Sequence, residues 1–428
     1  MSTLDISIPA RLSSRRSAAP GNAPVFVAVA ALVLGAAYLN SVVSLRQAAL
    51  FLVGGLAGVV LYHAAFGFTA AWRVFISDRR GAGLRAQMLL FALTSLVFFP
   101  ALGDGRLFDQ AVRGAVAPLS VGLLTGAFMF GAGMQLAGGC ASGTLYTAGG
   151  GNTRMIVTLL AFIAGSVIGV THQPVWQNAP SLRAVSLIQV FGSLPALVIS
   201  LTLFAAVAWI TIVLERRRHG AVVGTLIRPA SPPASESSRW LRGPWPLVAG
   251  AVGLAAVNIA TLAIAGRPWG VTSAFALWGS KILDAMGVPV ATWPYWATRT
   301  AELKASVFQD VTSVMNFGIM LGALAAAGLA GRFAPTWRVP LRPLIAAVID
   351  GLCLGSGAKI AYGCNIGAYF SGIASSSLHG WIWGAAAFAG SVIGTRLRPF
   401  FGLSVERTAS ATSSRSAVGT ETPKIALH

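Results

Sequence analysis

The chain has 428 residues, of which 55% are hydrophobic and only 10% charged, and its mean hydropathy is +0.72; no soluble domain has an interior large enough to hide that much apolar surface. Lysine and arginine outnumber the acids 31 to 12, a formal net charge of +19. These basic residues gather in loops without an aromatic-interleaved groove or a folded reader motif, so they read as a membrane-topology signal and exclude nucleic acid as a partner.

The first 24 residues, "MSTLDISIPARLSSRRSAAPGNAP", are basic and rich in Ser and Pro, and predict a disordered tail leading into a retained first helix rather than a cleaved signal. Six apolar crossings follow, at 25–45, 48–67, 84–102, 115–136, 155–172 and 187–214. Each is close to the length needed to cross a hydrocarbon core of about 30 Å at about 1.5 Å per residue. Their apolar residues alternate with Gly and Ala rather than at period two, which predicts an all-α helical protein and excludes a barrel.

The basic stretch "WRVFISDRRGAGLR" (72–85) then falls inside, and "HQPVWQNAPSLRA" (172–184) outside. A Pro/Ser-rich basic linker at 215–243, carrying Arg216, Arg217, Arg218, Arg228, Arg239 and Arg242, separates the first transmembrane half (25–214) from a second (244–398). By the positive-inside rule the linker, the N-terminal tail (Arg11, Arg15, Arg16) and the C-terminal end (Arg396, Arg398, Arg407) all face the cytoplasm. The second half opens with a span at 245–266, passes through a polar, Pro-interrupted stretch (269–306) that predicts broken or re-entrant helices, and returns to clear spans at 308–330, 343–361 and 381–396. Residues 399–428 predict a disordered tail.

Two glycine-rich interruptions stand out. "GAGMQLAGGCASGTLY" (131–146) aligns with "GSGAKIAYGCNIGAYF" (355–370), superposing Gly131 on Gly355, Gly139 on Gly363, Cys140 on Cys364 and Gln135 on Lys359; "AFIAGSVIG" (161–169) then aligns with "AAFAGSVIG" (386–394). The helix leading to Cys140 runs from outside to inside and the one leading to Cys364 from inside to outside, so the repeats are inverted. Inverted repeats with matched Gly-interrupted helices point to a substrate site near the bilayer midplane, at a constriction between the halves. Helix N-termini restarting after such breaks offer free amides and a positive dipole end, which suits an anion.

The thiols narrow the choice of anion. A thiol is a weak donor and a soft, polarizable partner, better matched to sulfur in a ligand than to a hard oxyanion. A lone buried cysteine reads as a small apolar residue; repetition at Cys140 and Cys364 favours a ligand role. A metal site wants three or four Cys or His ligands and the spacing does not supply them, while a disulfide between the two would block the path. Cys353 precedes Cys364 by eleven residues, about three turns, and on an unbroken helix would share its face; a packed core cysteine is the competing reading. Lys359 either attracts the anion or pairs with Asp350, and Lys281, Asp284, Glu302, Lys304 and Asp310 read as interhelical pairs. Tyr62 and His63 close the second span, as an interfacial pair or an entrance group. The candidate pathway comprises Gln135, Gly139 and Cys140 from one half and Cys353, Lys359, Gly363, Cys364 and Asn365 from the other.

The paired "GGCASGTLY" and "YGCNIGAYFSGI" segments, the inverted halves and "WGVTSAFALWGSKI" (269–282) resemble the YeeE/YedE family of membrane proteins, from about the second helix to Arg398. The resemblance implies an hourglass-shaped helical protein with cysteines at its waist, passing thiosulfate between thiols without covalent change, Cys140 and Cys364 taking the places of two waist cysteines. The family's third cysteine belongs in the segment that here reads "AAFGFTAAWRVF", where Gly67 stands in its place; this departure leaves sulfite or another sulfur anion open beside thiosulfate. The expectation is a cytoplasmic-membrane permease for a small sulfur-containing anion, without cofactor or metal and not an enzyme. Its rival is a membrane sulfurtransferase subunit relaying persulfide sulfur to a soluble cytoplasmic sulfur-carrier protein.

Overall fold

The computed structural model describes residues 22–222, 240–335 and 338–406, so the N-terminal tail, Arg228, Arg239 and the chain from Arg407 onward lie outside the described residues. Regular structure within them is almost wholly helical, the exceptions being two pairs of two-residue strands, Arg106–Leu107 with Gln110–Ala111 and Leu119–Ser120 with Ser181–Leu182. Among the described residues nine segments are long and apolar enough to cross a membrane. The chain is a polytopic all-α membrane protein.

The first half holds α1 (Asn22–Val42), α2 (Leu45–Ala64), the short α3 (Phe68–Asp78), α4 (Ala82–Asp104), α5 (Val121–Ala137), α6 (Ala141–Gly149), α7 (Thr153–Thr171), α8 (Gln173–Gln177), α9 (Leu187–Phe191) and α10 (Ser193–His219). The second holds α11 (Leu247–Ala265), α12 (Ser273–Ala285), α13 (Pro294–Ala297), α14 (Thr300–Lys304), α15 (Val311–Leu329), α16 (Leu341–Ile360), a π-helical turn (Asn365–Phe370), α17 (Ser371–Ala374) and α18 (Leu378–Leu397). Side-chain caps start the long helices where the sequence supplies them. Ser120 accepts from Leu123 N at 3.0 Å and Asp310 from Ser313 N at 2.7 Å, satisfying amides that a helix start leaves without a partner.

Three expectations change. The span read as 187–214 is broken at Gly192, and α10 then runs on to His219, which places Arg216, Arg217 and Arg218 in its last turn, against the negative end of its dipole. Much of the basic stretch 72–85 is helix, α3 ending only at Asp78. The chain does not leave the body at residue 398: a 3-10 turn at Arg398–Phe401 and a strap to Glu406 remain packed on it. The irregular stretch 269–306 is broken as the sequence predicts, into α12, a 3-10 turn, α13 and α14.

Lipid gives helices little hydrophobic reason to associate, so small residues and close backbone approach do the work. The glycines show how the repeats use this. Gly165 on α7 lies against the Leu352 carbonyl of α16, and its counterpart Gly390 on α18 against the Phe128 carbonyl of α5. Gly355 on α16 meets the Phe162 carbonyl, and its counterpart Gly131 on α5 meets the Ala387 carbonyl. Gly169 abuts the stem of Lys359, and Gly394 the stem of Gln135. Each pair is related by the register of the sequence alignment.

The same exchange holds for whole helices: α2 packs on α15 as α11 packs on α4, α7 on α16 as α18 on α5, and α3 on α18 as α12 on α7, while α2–α11 and α5–α16 map onto themselves. This is the contact pattern of a two-fold axis relating the halves. It also pairs α3 with α12, where "FGFTAAW" (66–72) matches "WGVTSAF" (269–275), and so places Gly67 opposite Gly270. Outside this pattern lie α1 and α10, which turn Phe26, Val33 and Leu34, and Leu194, Val198 and Trp209, outward as a lipid-facing surface. The buried Arg85–Glu215 ion pair, at 2.8 Å, fastens α10 to α4.

Candidate functional site

Both helix breaks are built alike. After α5 the chain passes through Gly138 (φ 88°) and Gly139 to Cys140, whose extended backbone (φ −85°, ψ −170°) caps α6. After α16 it passes through Tyr362 (φ 63°) and Gly363 (φ 148°) to Cys364, again extended (φ −110°, ψ −169°) and capping the π-helical turn. Gly363 holds a conformation that side chains resist. The glycines also admit the restarting helix: a Cβ on Gly139 would lie 3.3 Å from Thr144 N, and one on Gly363 3.0 Å from Ala368 N.

Each thiol therefore sits at a helix start. The amides of Ser142 and Gly143 face the Cys140 sulfur, and those of Ile366 and Gly367, the equivalent residues, face that of Cys364. The Ser142 hydroxyl lies 3.5 Å from Cys140 Sγ. Both cysteines are free and buried, 2% and 0% exposed, and belong to one core cluster; α6 and the π-helical turn that they cap are in contact. Free amides converging on two soft atoms can hold an anion that presents sulfur at one end and oxygen at the other.

Several buried polar atoms on the helices that carry the breaks lack partners. Asn365 is fully buried and neither end of its carboxamide makes a hydrogen bond, and the same holds for Oε1 of Gln135 and Oγ1 of Thr144, Thr69 and Thr395. A buried polar group without a partner costs on the order of 1–3 kcal/mol. Gln135 uses its amide nitrogen on the Thr69 carbonyl at 3.3 Å, joining α5 to α3.

Lys359 stands elsewhere. Its ammonium lies 3.3 Å from the centroid of the Tyr295 ring, with the Arg299 guanidinium 4.5 Å from the same ring. It does not pair with Asp350, whose charge is felt instead by Arg154, Cys353 and Arg398. Cys353 packs on α5, where a Cβ on Gly133 would approach its own Cβ to 2.9 Å. The ladder with Cys364 is not formed, because α16 ends at Ile360 and the turn through Tyr362 and Gly363 carries Cys364 off that face.

Lys281 caps the Leu303 and Ala305 carbonyls at 2.6 Å instead of pairing with an acid, and Asp310 caps α15 with Arg267 at 3.9 Å. His63 is buried and packs against Trp245 with ring centroids 5.3 Å apart and planes tilted by 37°, which joins α2 to the start of the second half. Gly67 lies at the N-cap of α3 with ordinary backbone (φ −118°), and a Cβ there would meet only Ala70 at 3.8 Å and the Tyr146 hydroxyl at 3.9 Å. It borders a cavity of about 290 Å³ shared with Ala70, Val74, Arg80, Gln87 and Glu215. A Cβ on its counterpart Gly270 would meet nothing within 4 Å, and Gly270 itself lies 3.8 Å from the place of a Cβ on Gly367.

Sequence reasoning missed two features. One is the Gly67–Gly270 equivalence, whose signal was the shared G-x-T-x-A spacing. The other is an arginine cluster at the first break: Arg398 donates to the Gln135 carbonyl and, at 2.8 Å, to the Ser404 carbonyl, while Arg73 holds the Glu406 carboxylate through three contacts of 2.7–3.1 Å. Burial, with Arg73 beside it, brings Arg398 down to about 10, still a cation at neutral pH. Burial works to raise the Glu406 carboxyl, but the hydrogen bonds and charge of Arg73 outweigh it and hold it below the usual carboxylate range.

A family model described as sulphur transport matches residues 63–393. The probable transporter YedE of Escherichia coli K12 is 31% identical over 169 residues, covering 39% of this chain and 42% of that protein's length. The thiosulfate transporter TsuA of Spirochaeta thermophila is 27% identical over 342 residues, 77% of this chain and 92% of the relative. TsuA of Escherichia coli K12 is 30% identical over 115 residues, 27% and 32% of the two chains.

Proposed function

The chain belongs to the sulphur-transport family, and we propose that it takes up thiosulfate or a closely related small sulfur anion through the waist where Cys140 and Cys364 cap their half-helices. The observation that carries the reading is the matched pair of buried thiols, each faced by two equivalent amides. The amides and the dipole ends of the half-helices favour negative charge; the sulfur atoms favour a guest with a soft terminus. Sulfate offers only oxygen and forfeits the second term. The relative named a thiosulfate transporter, aligned over most of its length, supports the same substrate class.

The direction is inward. This reading puts the central linker, both termini and the Cys140 approach on the cytoplasmic side of the inner membrane, and the positive-inside rule supports it: Arg216, Arg217 and Arg218 lie in the last turn of α10, and Arg396 and Arg398 at the end of α18. Transport is favoured over persulfide relay by burial: sulfurs 2% and 0% exposed offer a soluble carrier no surface to dock on.

Uptake of labelled thiosulfate in cells lacking other sulfur importers tests the proposal. Removing one soft contact worth about 1.4 kcal/mol from the narrowest point slows passage about tenfold, so Cys140→Ala and Cys364→Ala each lower the initial rate by at least that much. Unchanged uptake in both variants defeats the reading, and a stable gain of one sulfur atom on either cysteine turns it toward the sulfurtransferase.

A further inference from the structure

At the first break one acidic side chain closes over two arginines that the waist itself does not use. Arg73, on α3, is 8% exposed; its Nε and Nη2 grip the Glu406 carboxylate, whereas its buried Nη1 makes no hydrogen bond. Arg398 binds the Gln135 carbonyl on the last turn of α5, and a Cβ on Gly138 would stand 3.9 Å from its Nη1. The cluster therefore lies against the segment that leads, two residues later, into Cys140.

The balance of charge suits an exchange. Arg73 grips the Glu406 carboxylate, and Arg398, bonded to the same strap at Ser404, acts on it as well, so two guanidiniums share one carboxylate. With Glu406 swung away, two positive charges stand unbalanced, the complement of a doubly charged anion, and Arg73 keeps its forked donors ready for oxygen. The partners differ in exposure: the Glu406 side chain is 46% exposed and that of Arg73 only 10%. The strap bearing Glu406 is itself tied to Arg398, through Leu403 N at 3.0 Å to the Arg398 carbonyl and through the Ser404 carbonyl.

We propose that Arg73 and Arg398 form an anion-holding station at the Cys140 break, and that the Glu406 carboxylate is its tethered occupant, exchanged for a small divalent sulfur oxyanion leaving the waist. The proposal rests on the transport reading for its traffic. Exchanging one carboxylate for one anion spares a buried guanidinium the cost of standing unpaired. The tether keeps the competing carboxylate at a high local concentration, so it drives the anion off toward the cytoplasm.

The test uses the full-length protein in lipid nanodiscs, titrated calorimetrically with thiosulfate and, separately, with sulfate. A tethered competitor at millimolar effective concentration weakens binding on the order of tenfold, so Glu406→Gln tightens both anions by about that factor, and Arg73→Gln added to it removes the gain. Hydrogen exchange on the unaltered protein gives a second reading: saturating thiosulfate speeds exchange at residues 403–406. Affinity unmoved or weakened by Glu406→Gln overturns the station, as does a gain that survives Arg73→Gln or a strap whose exchange ignores the anion. Vesicle uptake separates the two readings. Thiosulfate uptake absent while Glu406→Gln still tightens binding sinks transport alone; uptake intact with affinity unmoved sinks the station alone.

Discussion

Gly67 shows how much one side chain decides. The resemblance places a cysteine there, and the backbone permits one: φ is −118° and the nearest atoms to a Cβ are 3.8 and 3.9 Å away, ordinary van der Waals contact. A thiol at 67 would stand by the Tyr146 hydroxyl of α6, the helix that Cys140 caps, and beside the cavity that borders α3. It would add a soft foothold between the waist and the cytoplasmic side without displacing anything. Gly67→Cys is therefore expected to leave thiosulfate uptake intact or raise it up to a few fold, one weak sulfur contact contributing roughly 0.5 kcal/mol. A clear fall in uptake, with the protein still inserted at normal level, would count against the placement of α3 beside the route. Cys140 and Cys364 were legible as a pair because the glycines around them keep their spacing in both halves. Glu406 was not, because it meets Arg73 across 333 residues and nothing local marks it.

Among the elements, the half-helices are legible and their neighbours less so. Glycine runs announce where α5 and α16 must stop, since a side chain on Gly139 or Gly363 would press on a backbone amide. The break at Gly192 and the extension of α10 to His219 are not legible, because an unbroken apolar run carries no local sign of a kink and three arginines read as a loop although they form a helix end. The reciprocal glycine contacts make a sharper claim than the alignment alone. Gly355 and Gly131 are equivalent and each receives a backbone carbonyl of the partner helix, Phe162 and Ala387. A β-branched side chain at either site pushes apart two helices whose carbonyls cannot rotate away, at a cost of about 1–3 kcal/mol. Gly355→Val and Gly131→Val are thus expected to lower the melting temperature of the detergent-solubilised protein by similar amounts, with Gly270→Ala, which meets open space, as the neutral control. Tolerance at one member of the pair and collapse at the other would show that the halves do not pack by one rule.

For the whole molecule the inverted repeat is a statement about sides, and Gly67 and Gly270 are the probes that read it. They occupy equivalent places at the starts of α3 and α12, both partly open, and their surroundings hold a cysteine without clash. A two-fold axis lying in the membrane plane must send them to opposite faces, and the proposed orientation, with the arginines ending α10 inside, puts Gly67 on the cytoplasmic one. In a background with Cys140, Cys353 and Cys364 replaced by alanine, Gly67→Cys should react with a membrane-impermeant maleimide in inside-out vesicles, and Gly270→Cys in right-side-out ones. The ratio between preparations should exceed about tenfold for each, because a charged reagent faces a barrier of several kcal/mol in the hydrocarbon core. Reaction of both thiols from one side would mean that α3 and α12 open to the same compartment. The two breaks would then no longer lie end to end along one route, and thiols at Cys140 and Cys364 could not serve as successive steps for one anion.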